Sequence, residues 1–343
     1  MLLYIHIPFC DSKCGYCGFN SLTNKLDSSK IYLESLKLDL IEMLQNTKEI
    51  ETIYIGGGTP NTLNPSDYEE IFKILQSYIT NDTEITIELN PNQHKESLPL
   101  FKNLGINRFS IGVQSFRDEK LRLLERNHNP KIAIEFIENA IKCGISTSID
   151  MIYDTKLDNA KSIKDELKLA NSLGVGHVSC YALSIDKNSR FYTKHKNPIL
   201  NNTLCYEIKE ILESYNFHQY EVSNYAKTHK SKHNLGYWQY KEYIGIGLGA
   251  VSRIQNKRIY KQNDFHSYIK NPLQILEEKL SNEDKRLERI FLGLRSEVGV
   301  DICDIYNKSK LDILLDSKKC KKVDSRIYAT NYFLADELSL WLM

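Results

Sequence analysis

Short runs rich in β-branched residues alternate with longer amphipathic stretches over the first two thirds of the chain, and this alternation constrains the fold more than any other feature. Leu3–Ile7, Thr52–Ile55, Glu84–Leu89, Arg108–Val113, Ser146–Ile152 and His177–Leu183 read as strands. Between the first two, Ser28–Gln45 repeats apolar residues at Ile31, Leu33, Leu36, Leu40, Ile41 and Leu44, the period of a helix with one buried face. Pro65–Tyr78, Asp118–Leu124, Pro130–Cys143 and Ala160–Ser172 read as further helices. Strands separated by helices join one sheet only through crossovers, and crossovers make that sheet parallel. About six βα units without a dinucleotide fingerprint favour an α/β fold, a partial (open) TIM-type barrel, over a doubly wound sheet. In such barrels the chemistry sits on the loops at the C-terminal ends of the strands.

Beyond residue 225 the pattern changes. Tyr and Lys dominate, strands are hard to place, and helices are expected at Asn271–Lys279 and Asp284–Leu294. Residues 1–225 are therefore expected to form the barrel, and residues 226–343 a smaller α+β domain packed on it. The Lys318–Lys322 run reads as a solvated turn. A chain of 343 residues buries enough surface to hold a core without disulfides or a metal. Lys and Arg number 45 against 44 Asp and Glu, so no electrostatic case exists for a nucleic-acid partner or for residence on an anionic membrane. No apolar run approaches the ~20 residues of a membrane helix, so no transmembrane segment is expected. The apolar start is broken by His6 and Pro8 and lacks a basic stretch, so it reads as a strand and not as a signal peptide. A cytoplasmic location is expected.

Of the 8 cysteines, Cys143, Cys180, Cys205, Cys303 and Cys320 stand alone, while Cys10, Cys14 and Cys17 share the loop after the first strand. Thiolates are soft ligands, and three on one loop can converge on a site without long-range folding. Three also leave one iron of an iron–sulfur cluster open to an outside ligand. The competing readings are a structural zinc with His6 as fourth ligand and a set of unligated thiols. The distant second cysteine pair usual for zinc is missing, so the spacing favours a cluster. Other candidate residues fall at the same strand ends. Gly56-Gly57-Gly58 follows the second strand, Glu88-Leu89-Asn90-Pro91 ends the third, Gln114 follows the fourth and Asp150 ends the fifth.

The stretch Tyr4-x-His6-Ile7-Pro8-Phe9-Cys10-x3-Cys14-x-Tyr16-Cys17 resembles the radical S-adenosylmethionine enzymes. Within them it is similar to the branch holding the oxygen-independent coproporphyrinogen III oxidases and the HemW-type haem chaperones. The resemblance covers essentially the whole chain. It implies a [4Fe–4S] cluster on Cys10, Cys14 and Cys17, with S-adenosylmethionine on the open iron. One-electron reduction, from an external reductant, would then give methionine and a 5′-deoxyadenosyl radical. By position, Gly57, Gly58 and Thr59 match the family's contacts to the methionine amino group. Glu88, Gln114, Arg126 and Asp150 match its remaining S-adenosylmethionine contacts, with Tyr4 and Ala182 as weaker members of that pocket. Carboxylates suit ribose hydroxyls, and an arginine fork suits a carboxylate.

Two departures distinguish the branches. Oxidases carry a further cysteine where this sequence has Phe19, and they have a long segment ahead of the first strand, whereas this chain begins three residues before Tyr4. Both features resemble the HemW type, as do His233-Asn234-x-x-Tyr237-Trp238 and the glycine segment Tyr243–Ala250. Gly245-x-Gly-x-Gly is no nucleotide fingerprint, because no helical pattern follows it. The resemblance thus implies a chaperone that passes haem to an acceptor protein, expected to be a haem-requiring respiratory enzyme. It also implies peripheral contact with the membrane during delivery, with His233 as haem-iron ligand and Tyr237 and Trp238 stacked on the porphyrin. The alternative it leaves is a coproporphyrinogen III dehydrogenase, making protoporphyrinogen IX by radical oxidative decarboxylation.

Overall fold

The computed structural model describes residues 1–343. All of the expected strands form, and each alternates in the same way. On β1 (Leu2–Ile7), Leu3, Ile5 and Ile7 are buried against helices, while Tyr4 and His6 face the other side. On β2 (Thr52–Gly57), β3 (Glu84–Leu89) and β4 (Arg108–Gln114), Ile53, Ile55, Ile85, Ile87, Phe109 and Ile111 repeat the pattern, with Tyr54, Thr86, Glu88 and Ser110 opposite. β5 (Ser146–Tyr153) and β6 (His177–Ala182) complete the series. Parallel sheets are ordinarily apolar on both faces. Here the inner face is polar, as expected of a barrel that holds its chemistry inside.

The main sheet has twelve strands. The short strands β7 (His218–Gln219) and β8 (Asn224–Ala226) come next in the chain. They are followed by β9 (Tyr243–Ile246), β10 (Val251–Ile254), β11 (Lys257–Lys261) and β12 (Ile275–Lys279). The spatial order is β12-β11-β10-β9-β1-β2-β3-β4-β5-β6-β8-β7, parallel from β9 through β6 and antiparallel at both margins. The two margins do not pair with each other, so the barrel is open. Helices α1 (Ser29–Leu44), α2 (Glu69–Leu75), α3 (Leu98–Asn103), α4 (Asp118–Leu123), α5 (Pro130–Lys142) and α6 (Ala160–Ser172) supply the crossovers. They cover the 51-residue core on the outer face of the strands.

The glycine segment after residue 243 is the seventh parallel strand, seated beside β1 with Leu2 opposite Tyr243 and Tyr4 opposite Gly245. A side chain at Gly245 would run 2.2 Å from the Val251 carbonyl, so the β9–β10 hairpin admits only glycine there. The chain from 243 to 279 therefore extends the barrel sheet. A separate 12-residue core begins at Ile290 and gathers residues to Leu342 around a three-stranded sheet. The helix expected at Asn271–Lys279 is instead largely β12. Its glutamates pair across the ladder, Glu277 with Lys257 at 2.7 Å and Glu278 with Arg258 at 3.2 Å, and cross-strand charge pairs overrode helix propensity. The helix expected from Asp284 forms as part of α7 (Asn282–Leu294). No helix is long and apolar enough to cross a membrane.

Candidate functional site

The cysteine loop leaves β1 at its C-terminal end and is pinned at several points. His6 meets the Tyr4 hydroxyl through one ring nitrogen at 3.0 Å and the Asn20 carbonyl through the other at 2.8 Å. With both nitrogens engaged, His6 ties the far end of the loop to the strand and is not free to be the fourth ligand of a zinc ion. Phe9–Cys10 forms a short parallel ladder with Leu22–Thr23. Gly15 lies under the Phe191 ring, where a Cβ would sit 1.8 Å away, and a Cβ on Gly18 would sit 2.2 Å from Asp186. These two glycines let the loop seat on the segment that follows β6.

Thr59 Oγ1 lies 3.3 Å from the Cys10 sulfur, and Arg126 donates to the Cys14 sulfur at 3.3 Å. Burial pushes the Cys10 and Cys17 thiols up, and the neighbouring thiols add to that shift. The cysteines do not gather round one point with other donors as the ligands of a single ion would. Three thiols carried on one loop suit the separate cysteine ligands of a multi-iron cluster. Arg126 also donates to the Gly112 carbonyl at 2.8 Å and to Asn90 Oδ1 at 3.0 Å, while its Nε is buried without a partner. It leaves one donor of its fork open beside a sulfur.

Gly57 has φ +119°, a conformation that favours glycine. A Cβ on Gly57 would lie 2.6 Å from the His6 ring, and one on Gly58 the same distance from the Phe9 carbonyl. The Gly58 and Thr59 amides donate to Ile7 and Phe9 at 2.8 and 2.7 Å. The glycine run is expected to bring backbone close to a ligand, but the neighbour it meets in the structure is the cysteine segment itself. Glu88 accepts from the Tyr54 hydroxyl at 2.8 Å and from the Gly57 amide at 3.1 Å. Burial, with Asp150 adding, pushes its carboxyl up to about 7 against those two hydrogen bonds. Asp150 is also raised by burial, and it accepts from Ser110 at 3.4 Å. Gln114 has φ +66° at an irregularity in the β4–β5 register, and its side chain bonds to nothing in the protein. Ala182 is exposed at the end of β6.

The structure thus brings Cys10, Cys14, Cys17, Gly57, Gly58, Thr59, Glu88, Gln114, Arg126, Asp150 and Ala182 to one end of the barrel, with Tyr4 in the lumen beneath. It does not bring His233 there. His233 lies on α8 (Lys232–Trp238), which closes the opposite end, and its ring hydrogen-bonds Thr52 at 2.7 Å and Tyr237 at 3.1 Å. Thr52 begins β2 and Gly57 ends it, roughly 16 Å apart at the usual strand rise. Burial holds the His233 ring down at about 3, so it is neutral, and neither nitrogen is free for iron. Tyr54, Asn20 and Phe191 were not marked as site residues by the sequence, and Asn90 was marked only within the strand-end run Glu88–Pro91. The lone signal for Phe191 was Gly15, whose missing Cβ lets that ring approach the loop.

Residues 4–178 match the model of the radical SAM superfamily. Proteins named haem chaperone HemW are similar over most of their length. The one from Buchnera aphidicola of Schizaphis graminum is 37% identical over 351 aligned residues, covering 94% of this chain and 92% of the relative. That from Bacillus subtilis is 32% identical, covering 87% and 84%, and that from Escherichia coli 35%, covering 74% and 70%. Among solved structures, the coproporphyrinogen III oxidase of Escherichia coli, a radical SAM enzyme, superposes with a TM-score of 0.83 at 19% identity. That match covers 99% of this chain and 89% of the oxidase, and at such identity it speaks for the fold.

Proposed function

The chain belongs to the HemW family of the radical SAM superfamily, and from that premise we propose that it is a haem chaperone. On this reading it binds a [4Fe–4S] cluster, S-adenosylmethionine and haem, and passes the haem to an acceptor protein. The cargo reading is carried by kinship with relatives named haem chaperones across most of the chain. It is supported by Phe19, a side chain 71% exposed at the rim where the resembling oxidases carry a further cysteine.

The residues present fit the cluster and the nucleoside. Three thiols on one pinned loop supply the soft donors, and the Arg126 guanidinium donates to the Cys14 sulfur. The open Nε of Arg126 and the unbonded amide of Gln114 are polar groups left for a ligand at the mouth. Glu88 and Asp150 offer carboxylate oxygens to hydroxyls, and Gly57, Gly58 and Thr59 hold the β2 loop against the cysteines. When bound, the cluster and S-adenosylmethionine supply one-electron reductive chemistry at the sulfonium. The chain's own part is to bind and orient them and to exclude water. The acceptor is proposed to be a haem-requiring respiratory enzyme, reached in the cytoplasm or at the membrane surface.

An anaerobic haem titration of the iron–sulfur-reconstituted chain, followed by absorbance, tests this reading. Saturable binding near one haem per chain is expected. Absence of haem binding, together with turnover of coproporphyrinogen III under reducing conditions, would replace the chaperone with the dehydrogenase.

A further inference from the structure

We propose that the cavity between α8, β9–β11 and α7 is a binding site for a flat apolar macrocycle bearing carboxylates, a porphyrin. The identity of the ligand rests on the haem-cargo reading above, but the location does not. The cavity encloses about 500 Å³ and is bordered by Tyr237, Tyr240, Tyr243, Arg253, Arg258 and Phe291, a size usual for small-molecule sites. It lies at the N-terminal end of β1, where Tyr243 pairs with Leu2, whereas the cysteine loop leaves the other end of that strand.

The strongest observation is an unbalanced charge. Arg253 is only 5% exposed. Its one hydrogen bond goes to the Tyr240 carbonyl, and its guanidinium lies 3.8 Å over the Tyr240 ring. No carboxylate stands within ion-pair distance of it, whereas neighbouring Arg258 is neutralised by Glu278 and Glu288. A buried cation without a counter-charge is costly, and an incoming carboxylate would relieve it. The Tyr243 hydroxyl has no partner in the protein, although its ring packs edge-on to Tyr237 with centroids 4.8 Å apart. Tyr240 holds φ +57°, a conformation ordinarily left to glycine or asparagine. Its hydroxyl is tied to Glu288 at 2.6 Å, which fixes an aromatic face on the cavity wall. Phe291 stands 39% exposed at the mouth. Aromatic faces, one uncompensated guanidinium and a free phenol are complementary to a macrocycle that is apolar across its plane and anionic at one edge.

The test titrates the full chain with ferric haem, iron-free protoporphyrin IX and coproporphyrin III, reading absorbance and the quenching of protein fluorescence. Arg253→Gln, Tyr243→Phe and Phe291→Glu are run beside the parent, with circular dichroism as the check on folding. Arg253→Gln and Phe291→Glu are expected to weaken haem and protoporphyrin alike by about tenfold or more, because carboxylate and ring, not iron, make the contacts. Tyr243→Phe should weaken both by about threefold. If Arg253→Gln fails to fold, Phe291→Glu, at a half-exposed position, carries the test. Haem binding by the parent that all three variants retain unchanged would overturn the cavity and leave the cargo reading standing. Variant-sensitive binding of an iron-free porphyrin without haem binding would support the cavity and overturn haem as cargo. A parent that binds none of the three would overturn both.

Discussion

Glu88 shows how the lumen shapes single residues. Its carboxyl is buried among Tyr54, Gly57 and the charge of Asp150, and its pKa is pushed up to about 7. A carboxyl whose folded pKa lies above its unfolded value holds its proton more tightly in the folded state. Stability is then fully present below about pH 4.5 and is lost as pH rises through about 7. With allowance for partial exposure, the loss is on the order of 2 kcal/mol. Urea unfolding at pH 5 and pH 8 should show this drop in the parent and a smaller one in Glu88→Gln. Equal drops would mean that another group dominates, such as Glu221, whose carboxyl is also pushed up to about 7 by burial. The His233 ring makes the opposite case. Both of its nitrogens hold buried partners, so His233→Ala leaves Thr52 and Tyr237 unpaired and opens a cavity. We expect a loss of about 2–4 kcal/mol in stability with the absorbance maximum of bound haem unchanged. A shifted maximum in a folded variant would restore His233 as ligand.

At the level of elements, the β2 loop and the cysteine loop behave as one unit. Gly58 is the contact that decides this, because a Cβ there meets the carbonyls of Phe9 and Pro8 at 2.6 and 2.7 Å, and backbone cannot step aside as a side chain can. Gly58→Ala should therefore displace the cysteine segment, and reconstituted protein should retain about half or less of the parent's iron per chain while keeping its circular dichroism. Full iron content would show that the two loops move independently. This coupling also explains what could be read from the sequence. Strands β1 to β6 were legible as short β-branched runs set between helical stretches, and the cysteines because three thiols on one loop, without the distant pair usual for zinc, favour a cluster. β9 was not legible, since its four residues include Gly245 and carry no alternation long enough to register. β12 was read as helix because its glutamates are helix formers whose cross-strand partners lie far off in the chain. Tyr54 escaped notice for the same reason: a polar residue on a strand shows its purpose only when the facing strand is known.

Across the whole molecule, the mouth and the proposed porphyrin cavity occupy opposite ends of the barrel, and a run of aromatic rings lies between them. Tyr243, Tyr237, His233, Tyr54 and Tyr4 form a run of rings with successive centroids 4.8, 4.8, 5.1 and 6.3 Å apart, and Tyr4 then reaches His6 under the cysteine loop. The cysteine loop and the proposed cavity share no lining residue. Perturbations at sites this far apart, without shared partners, ordinarily act independently. Replacing Cys10, Cys14 and Cys17 together by serine should therefore abolish iron binding yet leave haem affinity within about twofold of the parent. Arg253→Gln should reverse the pattern, losing haem affinity at full iron content. A tenfold loss of haem affinity in the triple-serine protein, with its fold intact, would show instead that the ring run transmits the state of one end to the other. Tyr54, which touches both the Glu88 carboxyl and the His233 ring, would then be the residue to change next.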